Sequence, residues 1–184
     1  VSTYGGTLYA LDAGTGQEKW SYNAEGVNLP SPTVVNGTVY VGTDHGHVLY
    51  ALDAGTGREK WSYATGGGSV SSPTVVNNIV YTVNNIVYTT NSDNSAYALD
   101  AKTGREEWSY VTGSDSFLPP TVVNGTVYLG SSNGTLYALD AETGREEWSY
   151  ATGSSIMVSP IVANGIVYVG TLDGNVYAIQ EGSR

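Results

Sequence analysis

One eleven-residue pattern, Ala-x-Asp-x-x-Thr-Gly-x-Glu-x-Trp, occurs four times in this chain, each time preceded by tyrosine. The copies run from Ala10 to Trp20, Ala51 to Trp61, Ala98 to Trp108 and Ala138 to Trp148, and a decayed fifth begins at Tyr177-Ala178-Ile179. Successive tryptophans lie 41, 47 and 40 residues apart. A period of about 40 residues holding several short strands is the mark of a β-propeller or a stacked repeat array.

The copies can be aligned with one another. Tyrosine to tryptophan takes 11 residues in every copy, and tryptophan to the next strand-opening proline (Pro32, Pro73, Pro120, Pro160) takes 12. Only the stretch from proline to the next tyrosine changes length, so every insertion falls there. Each unit reads as four strands. In one unit these are Pro32 to Val35, Thr38 to Gly42, Leu49 to Asp53 and Glu59 to Tyr63. Asn36-Gly37 and Asn124-Gly125 predict tight hairpin turns whose central residues reach positive φ. Asn133-Gly134 and Asp173-Gly174 play the same part between second and third strands. No segment sustains a 3.6-residue period, so no helix is expected.

Within the repeat the chemistry suits a structural corner. The aspartates Asp12, Asp53, Asp100 and Asp140 can accept N–H groups of the following turn. Gly16, Gly57, Gly104 and Gly144 supply a backbone conformation that a Cβ penalises. Trp20, Trp61, Trp108 and Trp148 each offer a flat face and one N–H, suited to wedging between neighbouring sheets. A catalytic group is needed once, which argues against a catalytic role for an aspartate repeated four times.

Ala-x-Asp-x-x-Thr-Gly-x-x-x-Trp, with Ser-Pro-x-Val and Val-Tyr-Val-Gly between copies, resembles the pyrroloquinoline-quinone-type repeat over essentially the whole chain. The resemblance implies an all-β propeller of four-stranded antiparallel blades whose tryptophan motifs dock blade against blade. The expectation is a single domain over residues 1–184, with units near 1–31, 32–72, 73–119, 120–159 and 160–184. Strand counting favours four complete blades plus a partial repeat, closed if the Trp20 strand completes the C-terminal sheet. Five blade positions, or closure between chains, are the alternatives. The resemblance also implies what an enzyme of the family would need: eight blades, the quinone, calcium, two adjacent cysteines, an aspartate base and Glu/Asn ligands. This chain has no cysteine, and no calcium-ligand set can be matched. The non-enzymatic periplasmic scaffolds of the family are the better analogy.

Composition narrows the function classes. Net charge is −10, from 17 acidic and 7 basic residues, and no run of Lys or Arg exists. A phosphate-tracking groove for nucleic acid is therefore not expected. No apolar run approaches the roughly 20 residues that span a bilayer. The chain starts at Val1, partway through a repeat and without a signal-peptide pattern, as a processed or excised product would. Three sequons, at Asn36, Asn124 and Asn133, coincide with turns.

Candidate chemistry is sparse. His45 and His47, with Asp44, are too few ligands for a metal site. Glu106-Glu107 and Glu146-Glu147 are adjacent strand residues that point to opposite faces and make poor acid–base couples. No catalytic residue, metal ligand or cofactor is assigned. Val76 to Thr82 is repeated letter for letter as Val83 to Thr89, which must loop out, bulge or extend a hairpin if register is to survive.

The loops from each tryptophan strand to the next proline differ most between copies. Nine residues after each tryptophan stand Leu29, Val70, Phe117 and Met157. An unchanging scaffold carrying varied loops is what recognition requires; the bland reading is that these four pack at the start of the inner strand. The expected function is a non-enzymatic binding or assembly module outside the cytoplasm, periplasmic, cell-surface or secreted, contacting a protein or peptide through this rim. The alternatives are a fragment of a quinone-dependent oxidoreductase, or a structural repeat protein that assembles by strand exchange, forming homo-oligomers through incomplete terminal blades.

Overall fold

A computed structural model describes all residues except 25–28, 45, 77–85, 92–93, 115–117 and 181–184. Its strands follow the repeat. The first sheet pairs β1 (Thr7–Leu11) with β2 (Glu18–Asn23). Three four-stranded antiparallel sheets follow. They comprise β3 (Thr33–Val35), β4 (Thr38–Gly42), β5 (Val48–Asp53) and β6 (Glu59–Ala64); then β7 (Thr74–Val76), β8 (Ile86–Asn91), β9 (Ser95–Asp100) and β10 (Glu106–Val111); then β11 (Thr121–Val123), β12 (Thr126–Gly130), β13 (Thr135–Asp140) and β14 (Glu146–Ala151). The last sheet has three strands, β15 (Ile161–Ala163), β16 (Ile166–Gly170) and β17 (Val176–Gln180). The described residues include no helix, and so none long and apolar enough to cross a membrane.

The blades are therefore open at both ends of the chain. β2 pairs with β1 and not with β17. The fourth complete blade that self-closure would have made is not formed among the described residues.

The hairpin signals act as expected between first and second strands. Asn36 and Gly37 have φ of 47° and 70°, and Asn124 and Gly125 have 51° and 83°. Between second and third strands only the glycine of the pair, Gly134 or Gly174, turns positive. There the loop is longer, and Asn133 accepts the Thr135 amide through its side chain at 2.9 Å instead of turning left-handed itself.

Alternation along the strands places each sheet's two faces against different neighbours. One face of the β3–β6 sheet, with Val39, Val41 and Leu52, packs on Leu8 and Leu29; the other, with Tyr40, Leu49 and Ala51, packs on Leu99 and Ala101 of the next sheet. The same layering continues to Val167 and Val169. The duplicated segment leaves the pairing register intact. β8 is built from the second copy, and Tyr88 pairs with Ala98 as Tyr128 does with Ala138. The extra residues fall between β7 and β8, within the span 77–85 outside the described residues.

Each corner is held by its aspartate. The Asp53 carboxylate accepts the amides of Gly55 and Thr56 at 3.1 and 2.9 Å and the Thr56 hydroxyl at 2.9 Å. These bonds, the Thr56 hydroxyl foremost, hold the Asp53 carboxyl below the usual carboxylate range, and the Lys19 ammonium does the same first for Asp12. At Asp140 the Thr143 hydroxyl leads; at Asp100 burial pushes upward, and the Thr103 hydroxyl and amide outweigh it. Each depressed carboxylate binds its proton less readily folded than unfolded. Its contribution is whole above the unfolded pKa and is lost as pH falls through the folded value. The thermal midpoint should hold steady down to a pH of about 4 and drop below it. Circular dichroism melts across this range test the expectation; a midpoint unchanged well below the carboxylate range would refute it.

Candidate functional site

Sheets are joined edge to edge by three kinds of side-chain bond. The indole N–H groups of Trp20, Trp61 and Trp108 donate to the carbonyls of Ala54, Ala101 and Ala141 of the following sheet, each at 3.0 Å. Each ring lies flat on that sheet's corner glycine; a Cβ on Gly57, Gly104 or Gly144 would come within 2.7, 2.7 or 2.6 Å of it. Two residues further, the hydroxyl of Tyr22 donates to Glu59 at 2.7 Å, and those of Tyr63 and Tyr110 donate to Glu106 and Glu146. Near the axis, Thr33, Thr74 and Thr121 donate to the carbonyls of Pro73, Pro120 and Pro160 at 2.6, 2.7 and 2.5 Å.

The repeat carries both partners of this bond, glutamate two residues before each tryptophan and tyrosine two after it. The bond also accounts for the paired carboxylates. Glu106 takes the tyrosine of the preceding sheet, while Glu107 pairs with Arg105 at 2.6 Å.

The varied loops form the opposite rim, where each is strapped to the second-to-third-strand turn of its own sheet. Thr65 donates its amide and hydroxyl to the His47 carbonyl at 2.8 and 2.9 Å; Thr112 does so to Asn94, and Thr152 to Gly134. Past the strap, one aliphatic side chain sinks onto the glycine that ends the second strand. A Cβ on Gly42 would meet Val70, and a Cβ on Gly130 would meet Ile156.

The four candidate rim positions accordingly do not share one environment. Leu29 and Val70 are buried, at 5% and 2% exposure, whereas Met157 is 55% exposed. Phe117 lies outside the described residues. The loops are equally long from threonine to proline, but the buried seat falls at a different position along each: four residues separate Thr65 from Val70, and three separate Thr152 from Ile156. Ile156 takes the seat and Met157 is left outside. Beside Met157, Val158 and Leu172 are also exposed, and the Leu172 amide donates to Ser155 at 2.8 Å.

At the inner end of these loops lies a hollow of about 250 Å³, lined by Pro30, Asp44, Ser69, Val70, Ser71, Ser72 and Pro119. Residues from three successive loops line it, with Asp44 from the turn beneath. The Ser69 hydroxyl donates to Asp44. Such a lining offers hydrogen bonds and one negative charge to an extended segment. Of the two histidines, His45 lies outside the described residues, and the Nδ1 of His47 sits 2.6 Å from the Gly68 carbonyl oxygen. Among the described residues no three His, Cys, Asp or Glu side chains gather into a metal-holding group.

Two segments, 1–117 and 116–184, match the family model described as outer membrane protein assembly factor BamB. No curated protein matches the chain by sequence. Among solved structures, BamB from Moraxella catarrhalis is 23% identical with a TM-score of 0.80, covering 97% of this chain and 53% of its own. The computationally designed Ika8 protein is 20% identical with a TM-score of 0.85, covering 97% and 54%. The chain thus spans about half the length of either. A quinohemoprotein alcohol dehydrogenase from Pseudomonas putida is 26% identical with a TM-score of 0.63, covering 77% of this chain and 28% of its own. These likenesses fit an all-β propeller architecture with pyrroloquinoline-quinone-like repeats.

Proposed function

We propose a scaffold role from one premise: the chain belongs to the outer membrane protein assembly factor BamB family. The role is non-enzymatic, in an extracytoplasmic setting, and consists in holding a protein or extended peptide partner on the loop rim. The observation that supports it is the division of labour along each repeat. Strands, corners and inter-sheet bonds are nearly invariant, while the loops above the hollow differ in sequence. The contact surface is the hollow at Ser69–Ser72 together with exposed Met157 and Leu172; Leu29 and Val70 serve it from below, as buried supports. A partner segment fitting the hollow would be extended and would carry a basic side chain toward Asp44.

Photo-crosslinking in the native host provides the test. A photoreactive residue at Ser72 or Met157 should give discrete protein adducts, and one at Lys102, beside the corner turn after β9, should not. Equal adducts from all three positions, or none from the loop rim, would sink the proposal. Met157→Ala combined with Leu172→Ala should weaken capture about tenfold, as loss of exposed apolar anchors does, with an unchanged melting midpoint. The dehydrogenase likeness supports a second reading, a quinone-binding propeller. Titration with pyrroloquinoline quinone and calcium, followed by absorbance, separates the two, since the scaffold reading expects no saturable change.

A further inference from the structure

The repeat varies its charge from one inter-sheet junction to the next. Two positions are equivalent at every junction: the residue before the tryptophan of one sheet, and the residue after the corner alanine whose carbonyl receives that indole N–H. The pairs are Lys19 with Gly55, Lys60 with Lys102, and Glu107 with Glu142. One junction therefore carries two lysines, in a chain with 7 basic residues against 17 acidic.

At that junction lies a cavity of about 160 Å³. Its walls are Asn36, Thr38, Tyr40 and Lys60 of one sheet and Ala101 and Lys102 of the next. The side between the sheets is fixed, because the Ala101 carbonyl accepts both the Tyr40 hydroxyl at 3.1 Å and the Trp61 N–H at 3.0 Å. The Lys60 ammonium is oriented by the Thr38 hydroxyl oxygen at 2.7 Å and the Gly37 carbonyl at 3.3 Å. An ammonium has three N–H donors, so these two bonds leave one. Asp53 Oδ2, at 3.7 Å, stands beyond hydrogen-bond reach of it. Lys102 is exposed and meets no carboxylate within ion-pair distance among the described residues.

The corner carboxylates beside the cavity offset part of the lysine charge, but their hydrogen bonds go to their own turns. Asp53 Oδ1 takes the Gly55 and Thr56 amides and the Thr56 hydroxyl. Asp100 Oδ1 takes the Lys102 and Thr103 amides at 3.2 and 2.7 Å and the Thr103 hydroxyl at 2.6 Å. Neither oxygen is left to occupy the space between the two ammonium groups.

Two lysines lining one small cavity repel each other, and an anion between them replaces that repulsion with two attractions. Size limits the anion, since the cavity falls below the roughly 300 Å³ at which organic-ligand pockets begin. Lysine acts as a point charge and binds phosphate without the planar fork of arginine. We propose that this cavity binds a small free oxyanion of the phosphate class, held between Lys60 of one sheet and Lys102 of the next. The ion then ties two sheets together, so its binding adds to the stability of the folded chain. The next junction, with Glu107 and Glu142 in the same places, rejects it.

Amide spectra of the isotope-labelled whole chain test this, titrated with inorganic phosphate against chloride at equal ionic strength. The Gly37, Thr38 and Lys102 amides should shift and saturate, while the Glu142 amide stays still. Lys60→Gln combined with Lys102→Gln should weaken binding about tenfold, the scale for losing two partly exposed charge contacts, with unchanged far-ultraviolet dichroism. Lys102→Glu, a change at an exposed position, should abolish saturation by itself. Phosphate should raise the thermal midpoint of the unmodified chain and leave that of Lys102→Glu where it was. Shifts that never saturate, that chloride reproduces, or that Glu142 shares would reflect ionic screening alone and overturn the proposal. So would saturable binding indifferent to both sets of substitutions. The cavity lies among the corners, on the side opposite the loop rim, so failure here and failure of the loop-rim crosslinks are told apart.

Discussion

Replacing Gly104 with alanine is expected to lower the thermal midpoint by about 10 °C, against about 4 °C for Gly165→Ala, on the usual scale for a domain of this size. The two glycines have φ of +74° and +73°, so an added methyl group meets the same left-handed backbone penalty at both, of roughly 1–2 kcal/mol. They differ in what the methyl would touch. Nothing lies within 4 Å of a Cβ on Gly165, whereas one on Gly104 would stand 2.7 Å from the Trp61 ring. That ring cannot retreat, because its N–H is fixed on the Ala101 carbonyl at 3.0 Å and its face is held by Tyr40. Overpacking of this kind adds about 1–3 kcal/mol. Paired denaturation curves separate the contributions. Equal losses at the two sites would mean that the glycines are kept for their turns alone, and that the ring bears no weight in joining the sheets.

How much of this was legible beforehand depends on which residues repeat. The strands could be read because Val, Tyr and Thr alternate with small residues between turns, a pattern that fits a pleated half-buried surface. Comparing copies also showed that insertions avoid the corner and the tryptophan strand. It did not show the Tyr63–Glu106 bond, since its partners lie 43 residues apart and their meeting depends on how one sheet is set against the next. Which loop residue fills the buried seat was not legible. Apolar character at Val70 and Met157 looks alike in sequence, but Val70 sinks onto its strand end, whereas Ile156, one residue earlier in its loop, takes the equivalent seat and leaves Met157 exposed. Closure was illegible for another reason. Unpaired strands say that something must cover them, while the sequence of a repeat is the same whether the covering strand comes from its own chain or from another.

Trp108→Ala and Trp148→Ala remove the same side chain from the same place in successive repeats, yet they should differ severalfold in cost. Trp108 is 8% exposed, donates to the Ala141 carbonyl at 3.0 Å and covers Gly144. Its removal empties a cavity between two complete sheets, a loss of about 3–5 kcal/mol, and leaves a carbonyl beside it without its donor. Trp148 packs on Tyr128 but is only half-buried, and the sheet that follows it has three strands among the described residues. Its loss should cost about 1–2 kcal/mol, the range for a partly exposed side chain with few partners. Chemical denaturation gives the two values. The comparison matters more than either number, because it isolates what deep burial against a complete following sheet contributes to a tryptophan. If Trp148→Ala proved as costly as Trp108→Ala, stability would reside within each sheet. The expected gap instead places much of the stabilisation between sheets. On that view a blade is stable in proportion to the neighbours it has, and the end sheets are the least stable part of the chain until something supplies the missing side.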